Sequence, residues 1–188
     1  WYKECNPSNT VTIGGLGTLG GWATIFVTRL NLPVVGFDHG VVKNQNIGGQ
    51  PYRTSQINLG KNEAMSIMVN ELSGPKLFTA DGEFKKNSFM SEIAIAAFDS
   101  IPTRKLMYEE WLKLVKLSEK AEKGSAKNCW FIDMRMRGLD WQIRVIRGSD
   151  EAKWHKAYAK SFEGFTPEEM KRDNIMMEQC SLRSTTHV

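Results

Sequence analysis

The chain has 188 residues, 41% of them hydrophobic and 24% charged, the balance of a globular domain large enough for one well-buried core. Its formal net charge of +4 is scattered, with no basic run that would form a nucleic-acid-binding arm, so no nucleic-acid partner is expected. Cys5, Cys129 and Cys180 include no Cys-x-x-Cys pair, which argues against a disulfide scaffold and a tetrathiolate zinc site, and the apolar runs are strand-sized, so no membrane partner and a cytoplasmic location are expected.

Thr10 to Gly14 is a short β-branched run that ends in a glycine cluster, and Trp22, Ile25, Phe26 and Leu30 follow at helical spacing, predicting strand, turn and helix. Pro33 to Phe37 reads as a second strand with Asp38 at its carboxyl end. From His39 to Asn58 the chain is polar and glycine-rich, an extended loop or broken short helices. Helical spacing resumes from Gly60 to Leu72 through Ala64, Ile67, Met68 and Leu72, and Ser73-Gly74-Pro75 ends it before a third strand, Lys76 to Thr79.

Ser91 to Phe98 is almost uninterruptedly apolar, as a strand buried on both faces of a parallel sheet should be, and Asp99 follows it. An amphipathic helix is predicted from about Thr103 to Lys123, with Met107, Trp111, Leu114, Val115 and Ala121 inside. Asn128 to Met134 and Leu139 to Arg147 read as two strands around a turn at Gly138, and their alternation predicts one exposed face or a sheet edge. Glu151 to Phe162 reads as a surface helix, and Thr166-Pro167-Glu168-Glu169 has the spacing of a helix start. These elements predict a Rossmann-like three-layer sandwich: a mainly parallel sheet with helices on both faces and an antiparallel edge. Residues 1–188 are expected to be a single nucleotide-binding domain, and the missing initiator methionine and the stop at Val188 suggest flanking elements beyond both ends.

Gly15-x-Gly17-x-x-Gly20 lies between a predicted strand and helix, with Asp38 placed to accept hydrogen bonds from ribose hydroxyls. Glycine there permits the tight turn and lets helix N–H groups approach phosphate oxygens. Taken alone, this pattern serves either an ATP user or a nicotinamide or flavin enzyme.

Gly36-Phe37-Asp38-His39-Gly40-Val41-Val42, then Asn46, Gln50-Pro51-Tyr52, Gly60 and Ala64, resembles the ThiF/MoeB family of adenylyltransferases that activate ubiquitin-like proteins and sulfur carriers. The similarity covers most of residues 10–122, where Asp99 and Arg104 look like the family's Asp-Asn-x-x-x-Arg element, and is looser beyond. It implies an enzyme in which Gly15, Gly17, Thr18, Leu19 and Gly20 cradle the phosphates of ATP, Asp38 holds the ribose, Asn46 reaches the phosphate region, Gln50 is a further cofactor-binding residue, and Asp99 is catalytic by binding magnesium. It also implies a homodimer, and as partner a small ubiquitin-like or sulfur-carrier protein whose C-terminal carboxylate is adenylated.

Two departures bear on that expectation. Gly49 stands where the family has an arginine before the glutamine, and Glu63 where it has a lysine; Lys61 or Arg53 is the expected substitute for the lost charge. Without such a substitute the domain would bind nucleotide and adenylate nothing, and an NAD-dependent oxidoreductase is the remaining alternative. Cys180-Ser-Leu-Arg183-Ser-Thr185 is similar to the segment that carries the reactive cysteine in activating enzymes, so Cys180 is either a thioester- or persulfide-forming nucleophile or a small buried residue.

Overall fold

The structure, a computed structural model, describes residues 10–74, 77–137 and 140–163. Six strands, Val11–Gly14 (β1), Val34–Phe37 (β2), Phe78–Ala80 (β3), Ile93–Ala96 (β4), Trp130–Arg137 (β5) and Asp140–Arg147 (β6), form one sheet in the order β3-β2-β1-β4-β5-β6. All neighbours pair in parallel except β6, which returns antiparallel along β5. Helices Thr18–Arg29 (α1) and Lys61–Leu72 (α2) pack on one face, Ile101–Ala121 (α3) and Ala152–Lys160 (α4) on the other, giving the expected three layers.

Strand alternation sorts the core. Val11 and Ile13 of β1 lie beside Ile93 and Ile95 of β4 and face α1 and α2, while Ala94, Ala96 and Phe131 face α3. The link from β3 to β4 contains no helix among the described residues; buried Phe84 fills the gap instead, edge-on to Phe37 with ring centroids 5.0 Å apart.

Three predicted helix faces are corrected. Of the apolar residues at helical spacing in α1, Ile25 is buried, but Trp22 and Phe26 are 42% and 65% exposed, and the rest of the buried surface is made by Gly20, Gly21, Thr24 and Thr28. The helix lies too close to its neighbours for large side chains: a Cβ on Gly20 would stand 1.8 Å from the Gly15 carbonyl oxygen. The threonines fit because their hydroxyls donate to carbonyls one turn back, Thr24 to Gly20 and Thr28 to Thr24. In α2 the buried set is Ala64, Met65, Met68 and Val69, while Ile67 and Leu72 are exposed, because this helix packs against α1 as well as β3. In α3, Met107, Trp111 and Val115 are buried as expected, but Ala121 is exposed and Arg104, Tyr108 and Glu110 join the interior.

The third strand begins at Phe78, later than predicted, and α3 begins at Ile101, earlier than predicted. Ser100 caps that helix, its hydroxyl accepting the Thr103 N–H at 3.3 Å, with Pro102 in the first turn where its missing N–H costs nothing. The exposed side of β6 is its apolar side, Trp141, Ile143 and Val145 being 72%, 49% and 55% exposed. The predicted turn at Gly138, the helix start at Thr166 and the Cys180 segment lie outside the described residues.

The order of the strands places the site. From the centre of the sheet, β1 leads outward to β2 and β4 leads the opposite way to β5, and at such a reversal the carboxyl ends of the two strands open a crevice. Gly15 follows β1, Asp38 follows β2 and Asp99 lies just beyond β4.

Candidate functional site

The crevice holds a cleft of about 430 Å³, within the range of small-molecule sites. Gly15, Gly17, Thr18 and Leu19 line it from the turn that opens α1, whose unpaired N–H groups and dipole favour an anion. The glycines of this turn have separable causes. Gly15 has φ 83°, and a Cβ there would lie 2.7 Å from the Ala97 carbonyl oxygen, while Gly20 is needed for the approach of α1 to the turn and does not line the cleft. Gly17 has φ −73°, and its Cβ would meet nothing within 4 Å. Packing of the protein demands the first two; at Gly17, which lines the cleft, it leaves open space.

Asp38 ties this turn to the loop that follows β2. One carboxylate oxygen accepts the Leu16 N–H and the other the Gly40 N–H, both at 2.7 Å, and Lys61 Nζ lies 3.7 Å away. Each oxygen accepts one protein N–H and retains a second lone pair. Tyr52 donates to the Leu16 carbonyl at 2.7 Å; burial first, and the charge of Asp38 second, raise its pKa far above the ordinary range, so it remains a neutral donor.

Residues 39–58 form a compact loop with short 3-10 turns at Asn44–Asn46 and Thr54–Gln56. Asn46, expected to reach phosphate, lines the cleft, and its Oδ1 accepts the Lys43 N–H at 2.9 Å. Gln50 also lines the cleft; it is 8% exposed, and its buried Oε1 has no donor among the described residues. A buried amide acceptor left without a partner is costly unless something else supplies the donor.

Of the two cations expected to replace the lost charges, Lys61 lines the cleft. Arg53 does not: it lies outside the lining and pairs with Glu71 at 2.6 Å. Two further cations line the cleft as well: Lys43, which the sequence did not single out, and Arg104, which it singled out only as part of the Asp99–Arg104 element. Lys43 is set by the Lys43-x-x-Asn46 cap spacing, and Arg104 by its place in the first turn of α3.

Arg104 is 3% exposed. Its Nη1 donates to the Ala96 carbonyl at 3.1 Å, the Met134 carbonyl at 2.9 Å and the Asp133 carboxylate. Asp133, fully buried, also accepts from Arg135 at 2.6 Å and from the Tyr158 hydroxyl at 2.9 Å. Burial lowers the Arg104 pKa and the neighbouring Asp133 opposes that, and the hydrogen bonds of the pair tie α3 to the carboxyl ends of β4 and β5. An aspartate inside the otherwise apolar start of β5 was the sequence signal for this network.

Asp99 is exposed at the cleft wall, with Glu83 the other carboxylate there besides Asp38. Among the described residues no group of three or more His, Cys, Asp or Glu is gathered for a metal. A magnesium ion carried by phosphates needs only one or two protein carboxylates, so Asp99 fits that donor set. Among the same residues no helix is long and apolar enough to cross a membrane.

No protein-family model matches the sequence, and no curated protein matches it. Solved structures share its fold. PaaA is similar over 100% of this chain and 59% of its own, with a TM-score of 0.62 at 13% identity. The microcin C7 biosynthetic enzyme MccB from E. coli, in complex with N-formylated MccA, is similar over 93% of this chain and 55% of its own, with a TM-score of 0.57 at 11% identity. The E. coli tRNA N6-threonylcarbamoyladenosine dehydratase TcdA, in complex with AMP, is similar over 71% of this chain and 54% of its own, with a TM-score of 0.52 at 14% identity. At these identities the likeness establishes the fold, and the chain spans little more than half the length of each of these proteins.

Proposed function

We propose that this chain binds ATP in the cleft and, with magnesium, adenylates the C-terminal carboxylate of a small ubiquitin-like or sulfur-carrier protein. The observation that carries the reading is Gly17, a glycine that protein packing does not require, lining a cleft at the start of a helix. A phosphate against that turn accounts for the missing side chain. The ThiF/MoeB resemblance supplies the reaction, and TcdA, a protein of the same fold solved with AMP, supports an adenine nucleotide as the ligand.

In this reaction a carboxylate oxygen attacks the α-phosphorus, the bond from that phosphorus to the oxygen bridging toward the β-phosphate breaks, and pyrophosphate leaves an acyl-adenylate behind. The N–H groups that open α1 would hold the phosphates, Asp38 would accept from the ribose and Asp99 would hold the metal. Magnesium, when bound there, would supply positive charge to offset the negative charge that grows on the transferred group. The test is exchange of labelled pyrophosphate into ATP, stimulated by a carrier ending in Gly-Gly. Asp99→Ala should abolish exchange, and exchange persisting unchanged in that variant overturns the assignment of Asp99.

The remaining parts of the reading follow the resemblance. A homodimer is expected, and a monomer mass by light scattering refutes it. If Cys180 takes the acyl group with loss of AMP, Cys180→Ala retains exchange but loses the covalent carrier adduct; an adduct that survives the change rules out the cysteine as its acceptor. A second reading, nucleotide binding without transfer, is favoured by the uncharged Gly49, whose carbonyl accepts the Trp22 indole N–H at 3.2 Å, and by Glu63, which does not line the cleft. ATP bound with no exchange selects that reading, and NAD bound in preference to ATP selects an oxidoreductase.

A further inference from the structure

The nucleotide reading leaves a deficit of mobile positive charge. Gly49 and Glu63 stand where the resemblance implies cations, Arg53 is committed to Glu71, and Lys61 lies beside Asp38. Arg104 is buried among Asp133 and two carbonyls. Lys43 differs from all of these. It lines the cleft, it is exposed, and it forms no ion pair with any described carboxylate.

Its backbone is held at every polar group that could drift. The Lys43 N–H donates to Asn46 Oδ1 and the Lys43 carbonyl accepts the Asn46 N–H, both at 2.9 Å. The residue before it, Val42, is fully buried, and both its backbone groups are paired, with Leu59 and Asn58, at 2.9 Å. A fixed base with a free four-carbon stem is how an ammonium is delivered to an anion that arrives from solvent. In the same cleft, the buried and unpartnered Oε1 of Gln50 independently marks a place for a ligand's donor.

Resting on the ATP reading above, we infer that Lys43 is the phosphate-binding cation of this cleft and that Asn46 is the residue that positions it. Asn46 therefore acts on phosphate through Lys43 rather than by touching it. The charge lost at positions 49 and 63 is supplied from a different point of the same loop.

The test is calorimetry on the full chain with adenosine, ADP and ATP as separate probes. Charge-assisted contacts of this kind are worth about tenfold or more in affinity, so Lys43→Ala should weaken ATP and ADP by at least about that factor and leave adenosine unchanged. Lys43→Arg should restore most of the loss. Asn46→Ala should weaken ATP in the wild-type background and add nothing in the Lys43→Ala background, a coupling that a purely structural role would not produce. Wild-type affinity for ATP in Lys43→Ala, or an equal loss for adenosine and ATP, overturns the assignment while leaving the nucleotide site intact. Failure of the wild-type chain to bind any of the three probes overturns the ATP reading and this assignment with it.

Discussion

Two alanine substitutions in the glycine turn should separate folding from ligand binding. In the interior of an unconstrained helix, Gly20→Ala would gain about 1 kcal/mol from propensity. Here the new Cβ would stand 1.8 Å from the Gly15 carbonyl oxygen and 3.1 Å from the Ala97 Cβ. The first neighbour is backbone and cannot swing aside, so α1 must retreat from the turn by more than an ångström. Overpacking of this kind costs about 1–3 kcal/mol, and with the contact so short the upper end should prevail over the propensity gain. Gly17→Ala is the contrast. Its Cβ meets no atom, so no packing clash is added, and the cost is that of alanine in place of glycine at a helix N-cap, about 1 kcal/mol. Thermal melts with and without ATP read both effects, since a ligand that binds only the native state raises its Tm. Gly20→Ala should melt several degrees lower in the absence of ligand, whereas Gly17→Ala should melt closer to wild type but lose most of the shift produced by ATP. A Gly20→Ala protein as stable as wild type, or a Gly17→Ala protein with the full shift, refutes the division of roles.

Asp133→Asn keeps the shape of a fully buried side chain but leaves Arg104 and Arg135 without their counter-charge, a loss of about 3–5 kcal/mol by denaturant titration. A loss below about 1 kcal/mol would mean that the network does not hold α3 to the sheet. Glu119 accepts the Gly124 and Ala126 N–H groups, bonds that lower its pKa in the folded state. Because a depressed carboxylate pKa contributes stability above its unfolded value and loses it as the pH falls through the folded one, Glu119→Gln should lower the Tm at neutral pH, with the difference shrinking in acid. A difference that does not change with pH would assign those bonds no electrostatic part.

The parts of the fold legible in the sequence were those set by local rules. The apolar run at Ile93–Ala96 and the glycine cluster after β1 fixed the parallel sheet and its turn, because a strand buried on both faces and a φ of 83° each restrict residue type strongly. Helix faces were less legible. Trp22 and Phe26 have the spacing of an inner stripe, but the contact of α1 with the turn admits only glycine and threonine, a constraint set by a distance between elements rather than by periodicity.

The same division runs through the site. Gly15, Gly17 and Asp38 were readable because strand ends carry them to one crevice. Arg53 and Lys61 looked equivalent in sequence; the 3-10 turn at Thr54–Gln56 places Arg53 within reach of Glu71, and the cap at Gly60 turns Lys61 toward Asp38. Lys43 was not readable, since its relation to the cleft depends on how the loop folds back to pair Val42 with Leu59.

The most direct test of the central claim is a calorimetric titration of the 188-residue chain with ATP and magnesium, followed by the same titration with NAD. The account predicts one saturable ATP site, weakened by Gly17→Ala and by Asp38→Ala, with NAD binding weaker or absent. An ATP titration that releases no binding heat and produces no thermal stabilisation, or an NAD site tighter than the ATP site, would contradict it.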